Sequence, residues 1–295
     1  WSTPNLMAGM DCVDAHAYWQ HPQFLSARRG AGPWRVQNLS MVNDTGGVLA
    51  KLARRRLLNK PFSVTEYGTP SPNTHSGEGL VLVGAYAALQ DWDYISISRY
   101  TLQTNDSYTW GSGKFRGFFD IDQHPTKMIG FIPAVAMFQR GDVQAARQCV
   151  VAHFDERREL DAVGRGGGSW QPVSDGAPGI PAAAMLVHRT ALATEGQTVP
   201  TDAIRPEQLS LNGQRFASDT DELIWDMSEK TRGVVTVNTA KSKAVIGYGS
   251  GKRYDLDGVV VEPGPTRQEG WSVISLTAME GEFGSGTARI LIIAT

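Results

Sequence analysis

The sequence predicts a parallel α/β region followed by an all-β region. Over residues 9–139, short β-branched or apolar runs alternate with helical patterns, which is the order that builds a parallel sheet. After Arg140-Gly141-Asp142 the helical periodicity fades, and from about residue 208 short strand-like runs follow one another between turn signals. With 295 residues, 41% of them hydrophobic and 20% charged, the chain has room for two domains and a sizeable core.

The first element is the stretch 9–22, whose period-two alternation sets Asp14, His16 and Tyr18 on one face before the run stops at Pro22. Residues 44–58 place apolar side chains at 48, 49, 52, 53 and 57 behind an N-cap candidate, Asp44, and predict an amphipathic helix. Arg54-Arg55-Arg56 reads as its solvated face. Pro61 to Thr65 is then a short extended run, entered through a Pro and left through Gly68, with Glu66 where the strand ends. A buried parallel strand is apolar on both faces, so a carboxylate at its carboxyl end packs badly there and is well placed to face a ligand over the sheet rim. Capping the next segment or pairing with an arginine are the competing uses of Glu66. Residues 78–89 read as a small-residue-rich helix able to lie close on a sheet, residues 93–100 as a strand, and residues 125–139 as a helix, with a polar loop carrying Tyr108 and Trp110 between the last two.

Residues 1–142 thus form the region carrying the candidate site, and 143–295 a β-sandwich-like region with a Gly-rich linker near 164–169. The stretch 171–206 is rich in Pro, Ala and turn residues. Strands are expected at 222–226, 233–238, 243–248, 258–261, 272–277 and 288–294. The run Asp155-Glu156-Arg157-Arg158-Glu159 reads as a solvated strand edge or turn. Trp92 and Trp225 read as core anchors. His21 and His124 precede prolines, His75 lies in a polar loop, and His153 and His188 have no evident partner.

Several function classes fall away. A net charge of -2 gathers neither nucleic acid nor an anionic membrane surface. No apolar run approaches the roughly 20 residues needed to span a bilayer. Trp1-Ser2-Thr3-Pro4 has neither a basic nor an apolar leader segment, so no signal peptide is visible and the location stays open between cytoplasmic and secreted. Cys12 and Cys149 make no disulfide framework, and no C-x-x-C or H-E-x-x-H spacing occurs. Two buried or partly buried thiols are expected, with no metal and no cofactor.

The runs Asp14-Ala15-His16-Ala17-Tyr18-Trp19, Pro61-Phe62-Ser63-Val64-Thr65-Glu66-Tyr67-Gly68 and Gln90-Asp91-Trp92-Asp93, in that order, resemble the last three strand regions of clan A glycoside hydrolases, the retaining (β/α)8-barrel glycosidases. The later β region, with Val235-Thr236-Val237-Asn238-Thr239 and Ile246-Gly247-Tyr248, resembles the accessory β-sandwich that follows the barrel in several bacterial members. The resemblance implies a partial, truncated TIM-type barrel of about strands 6–8 followed by a β-sandwich. It makes Glu66 the nucleophile, has His16 and Tyr18 orient it or bind sugar hydroxyls, and adds Tyr67, Tyr100 and Trp110 as substrate-binding side chains. The chain departs from the family by lacking the Asn-Glu pair that supplies the acid/base. Asp14, Glu78 and Asp120 are the carboxylates that could stand in.

Three functions follow as expectations: a glycoside hydrolase or a remnant of one, an esterase acting on small acyl esters in the opened site, or a non-catalytic carbohydrate-binding protein. Three strands cannot close a barrel, so a homo-oligomer or a complex with the missing barrel portion is expected to cover the exposed edges and faces.

Overall fold

The computed structural model describes residues 3–25, 33–101, 117–166, 176–286 and 289–295. A short helix, α1 (Pro4–Met7), leads into β1 (Val13–Tyr18) and a small antiparallel pair, β2 (Gln23–Phe24) and β3 (Trp34–Arg35). Then come α2 (Gly47–Ala53), β4 (Phe62–Gly68), α3 (Glu78–Leu89), β5 (Tyr94–Ile97) and the pair α4 (Pro125–Ile129) and α5 (Phe131–Phe138), broken at Gly130. β1, β4 and β5 form a three-stranded parallel sheet in that order. The second region begins with β6 (Cys149–His153), α6 (Glu156–Arg165), α7 (Ala184–Val187) and β7 (Arg189–Ala193), where β6 and β7 pair in parallel and β7 lies in the stretch rich in Pro, Ala and turn residues.

The remaining strands are β8 (Arg215–Ala217), β9 (Leu223–Asp226), β10 (Val234–Asn238), β11 (Ser242–Gly247), β12 (Tyr254–Leu256), β13 (Val259–Val261), β14 (Ser272–Glu280) and β15 (Arg289–Ala294). Six of them make one antiparallel sheet, ordered β15-β14-β11-β10-β9-β8. The hairpin β12–β13 packs Leu256 and Val261 against Val234 and Val245 of that sheet.

α3 has the bounds its pattern predicts, and all twelve of its residues are buried. Its small residues allow that enclosure. A Cβ on Gly84 would lie 2.7 Å from Ala134 Cα, so α5 comes against α3 at backbone range. On the parallel sheet, the Tyr67 hydroxyl donates to the Gly79 carbonyl (3.0 Å). On the antiparallel sheet, Trp225 meets Tyr86 edge-on at 5.4 Å between ring centroids. The largest hydrophobic cluster accordingly joins Val64, Tyr86 and Leu57 to Trp225, Val235 and Val273.

Several local expectations are corrected. α2 begins at Gly47 rather than just after Asp44, because its N-cap, Gly46, takes a left-handed φ of 70° that breaks any helical run from Asp44. Arg55 is buried, Arg54 Nε donates to the Ile180 carbonyl (2.9 Å) and Arg56 lies 3.6 Å from Asp91, so the arginine triplet is not a solvated helix face. Asp155 is a helix N-cap whose side chain accepts from Arg158 N (2.8 Å), and the charged run after it is the first turn of α6. His188 has a partner, Asp219, at 2.9 Å. His75 and His124 keep their loop positions, His75 buried and His124 half-buried, and burial presses the His124 imidazole down to about 4. Cys12, in the turn before β1, is exposed, while Cys149 is partly buried. Trp92 and Trp225 are core residues.

The two regions meet at a buried carboxylate. Glu78, at the start of α3, is fully buried and accepts from Ser40 Oγ (2.6 Å), Trp271 Nε1 (3.1 Å) and the Met41 amide. Burial raises its pKa to about 7 against the pull of those three donors. The folded chain therefore binds this proton more tightly than the unfolded chain, and the stability it contributes is present below pH ~4.5 and lost as pH rises toward ~7. Urea unfolding between pH 5 and 8 should show stability falling by up to about 3 kcal/mol with rising pH, a slope that Glu78→Gln should flatten.

Candidate functional site

β4 carries one residue more than its neighbours need. In the β1–β4 ladder Asp14 pairs with Ser63, Ala15 with Val64, and then His16 with Glu66, which leaves Thr65 as an added residue. The β4–β5 ladder slips over the same interval, between Val64 and Tyr67. Strict alternation from Val64 would set Thr65 and Tyr67 on the open face and turn Glu66 under the helices. The bulge reverses the sequence after Thr65. Val13, Ala15, Phe62, Val64 and Tyr67 are buried on the helix side, and Asp14, His16, Ser63, Thr65 and Glu66 share the other side with solvent.

On that open face the polar side chains form one connected group. The Tyr18 hydroxyl donates to Glu66 Oε2 (2.5 Å) and lies 3.0 Å from the Ser98 hydroxyl. Burial raises the Tyr18 pKa, and the bond to the Glu66 carboxylate adds to that effect, so this phenol stays a donor. His16 stands between two carboxylates, with Nδ1 3.4 Å from Glu66 Oε2 and Nε2 3.2 Å from Asp14 Oδ2. Thr65 Oγ1 is 2.8 Å from His16 Nε2 and donates to Asp14 Oδ2 (2.7 Å). Asp14 Oδ1 also accepts from Ser63 Oγ (2.9 Å) and from the Thr65 amide (3.1 Å), so the bulge itself helps hold Asp14. The Glu66 side chain is 43% exposed and can be reached by a ligand.

An aromatic wall flanks the carboxylate. Tyr18 packs on Phe119 (4.3 Å between centroids) and edge-on to His21 (4.9 Å). Gly68, the strand's last residue, makes room for this: a Cβ there would sit 2.7 Å from the Ser98 carbonyl oxygen and 3.4 Å from the Tyr18 ring. Behind the strand end the buried Lys127 ammonium donates to the Thr69 carbonyl (2.6 Å). Burial lowers its pKa to about 8, with Asp120 opposing that shift.

Of the expected site residues, Glu66, His16 and Tyr18 come together. Tyr67 does not join them: it is fully buried against Gly79, because the bulge sends it to the helix side. Tyr100 is exposed beyond β5, its carbonyl accepting from the Ile121 and Asp122 amides. Trp110 lies outside the described residues. Of the possible stand-in carboxylates, Glu78 is sealed into the seam with Ser40 and Trp271, Asp120 sits beside Arg99 (3.7 Å), and Asp14 shares the open face with the His16 ring between it and Glu66. Thr65, Ser98 and Phe119 join the site without a signal in the sequence: Thr65 and Ser98 are ordinary strand composition, and no pattern marks a bulge there.

Among the described residues, no group of three or more His, Cys, Asp or Glu side chains is arranged to hold a metal ion. No protein-family model, curated protein or solved structure matches the chain. The site's dependence on backbone clearance is open to measurement. Gly68→Ala should push Ser98 and Tyr18 away from Glu66 and lower the unfolding free energy by about 1–3 kcal/mol in urea titration.

Proposed function

We propose that the open face binds a carbohydrate and that Glu66 attacks its anomeric carbon, as the nucleophile half of a retaining glycoside hydrolase. The observation that carries this reading is a solvent-reachable carboxylate at the carboxyl rim of a parallel sheet, held by the Tyr18 hydroxyl at 2.5 Å and walled by aromatic rings. In this reading β1, β4 and β5, each followed by a helix, are the last three units of a βα barrel, and the antiparallel sheet with its hairpin is the accessory β-sandwich domain.

Glu66 forms the glycosyl ester, and Tyr18 keeps the carboxylate oxygen aligned while giving up its bond as negative charge leaves that oxygen. His16, contacting Glu66 Oε2 from the other side, fixes the carboxyl plane and presents an edge to sugar hydroxyls. A retaining pair needs a second carboxyl about 5–5.5 Å away to protonate the leaving oxygen and then activate water. Asp14 accepts three hydrogen bonds on the far side of the imidazole and serves as a positioning group in this scheme. Good leaving groups, which need little protonation, are therefore the substrates of this half-site, and the glycosyl ester accumulates for want of a second carboxyl placed to activate water at the anomeric carbon.

β1 and β5 are the edge strands of the parallel sheet, and Ile129, Ile132 and Val135 form an exposed apolar stripe on α4 and α5. These edges take the remaining barrel units or a second copy of the chain. Sedimentation at micromolar concentration should show self-association, and a well-folded monomer would count against it.

Aryl glycosides bearing fluorine beside the anomeric carbon should label the wild-type chain, with the adduct on the Glu66 peptide by mass spectrometry. Unmodified aryl glycosides should release phenol in a burst followed by slow turnover. Azide, an anionic nucleophile that needs no base, should accelerate the slow phase, and Glu66→Gln should lower turnover on the order of a thousandfold or more. Retained glycan binding without any phenol release would instead identify a carbohydrate-binding protein.

A further inference from the structure

The geometry points to a second activity on the same face, beyond glycoside chemistry: acyl-ester hydrolysis with Thr65 as nucleophile and His16 as its general base. Thr65 Oγ1 is 2.8 Å from His16 Nε2, and the other ring nitrogen, Nδ1, is 3.4 Å from Glu66 Oε2. Hydroxyl, imidazole and carboxylate are thus strung in the order that nucleophilic catalysis requires, with the base held by an acid residue on its far nitrogen. The nucleophile is accessible, because Thr65 is the exposed residue of a strand whose other residues are buried or half-buried. Its place is fixed by the bulge, which leaves Thr65 without a partner in the β1 register while its amide is tied to Asp14 Oδ1 (3.1 Å).

The hydroxyl has a second acceptor, Asp14 Oδ2 at 2.7 Å. Asp14 holds the oxygen in position in the resting state, and a rotation of the hydroxyl hydrogen carries it to the imidazole. In the tautomer with its hydrogen on Nδ1, facing Glu66 Oε2 at 3.4 Å, the ring accepts at Nε2, and because Nε2 also lies 3.2 Å from Asp14 Oδ2, the imidazolium formed in each step stands between two carboxylates. In the first step a bond forms from Thr65 Oγ1 to the ester carbonyl carbon and the bond to the leaving oxygen breaks, the hydroxyl proton passing through His16 Nε2 to the departing alkoxide. In the second step water attacks the acyl carbon and gives its proton to His16 Nε2, and that proton returns to Oγ1 as the acyl bond breaks. A carboxylic acid and an alcohol are released and the three side chains are restored. The open face favours small esters with good leaving groups, since an activated acyl group needs the least assistance.

The substrates for the test are para-nitrophenyl acetate and butyrate, and the covalent probe is an alkyl fluorophosphonate. Wild-type protein should hydrolyse the esters, and the probe should add its phosphonyl group to the peptide containing Thr65. Thr65→Val, which keeps the shape and removes the hydroxyl, should lose at least about a hundredfold in rate, while Thr65→Ser should keep a tenth or more. His16→Ala should lose as much as Thr65→Val. Equal ester hydrolysis in wild type and Thr65→Val, an adduct mapped to another residue, or no hydrolysis by the wild type would each overturn the assignment. If Thr65→Val does not fold, the position of the phosphonyl adduct on the wild-type chain decides. Glycoside labelling at Glu66 is read separately, so loss of one activity is distinguishable from loss of the other.

Discussion

A helix with no solvent face has to be enclosed from every direction, and α3 imposes that demand on the rest of the chain. One side is met by the parallel sheet through Tyr67, another by α5 at Gly84, and a third by the antiparallel sheet through Trp225. Burying side chains such as Leu82 and Leu89 contributes about 1.5–3 kcal/mol each relative to leaving them in water, so the enclosure is favoured from all these sides together. The antiparallel sheet is in this respect a wall of the same core, with Trp225 Nε1 donating to the Val42 carbonyl (3.1 Å) and Trp271 to Glu78.

Because α3 and its neighbours claim one face of the parallel sheet, the opposite face is free of packing duty. Its residues are polar: Asp14, His16, Ser63, Thr65 and Glu66 satisfy one another by hydrogen bonds instead of being covered. Polar groups that bond among themselves at a half-exposed surface lose little to desolvation, and the network fixes their rotamers. That leaves a preorganised carboxylate beside an aromatic wall, which is what a ligand site at the rim of a parallel sheet requires.

Much of this architecture was legible in the sequence. The alternation of strands and helices up to residue 139 and six of the later strands follow from hydrophobic period and turn residues, the three-residue strands β8 and β12 being too short to show a period, and α3 has the bounds its small-residue pattern gives. Glu66 stood out because a carboxylate is out of place at the end of an apolar run. Tyr67 was misplaced because alternation cannot register an added residue, and a Thr in a strand is ordinary composition. The arginine triplet looked solvated because a local pattern cannot show a partner such as the Ile180 carbonyl, 126 positions away. The β6–β7 pair was invisible for the same reason: parallel pairing over a long connection leaves no local signature in a stretch rich in Pro and Ala.

The added residue in β4 also governs how the strand tolerates editing. Before Thr65 the odd-numbered positions look outward, and after it the even-numbered ones do, so the segment has two parities joined at one point. Removing a residue at the junction merges the two frames and still leaves a carboxylate outside and a tyrosine inside, whereas a deletion further upstream transposes inner and outer side chains along the strand segment before the junction. A gap at one position is nearly silent for orientation, and the same gap a few positions earlier turns only the part of the strand preceding the junction inside out.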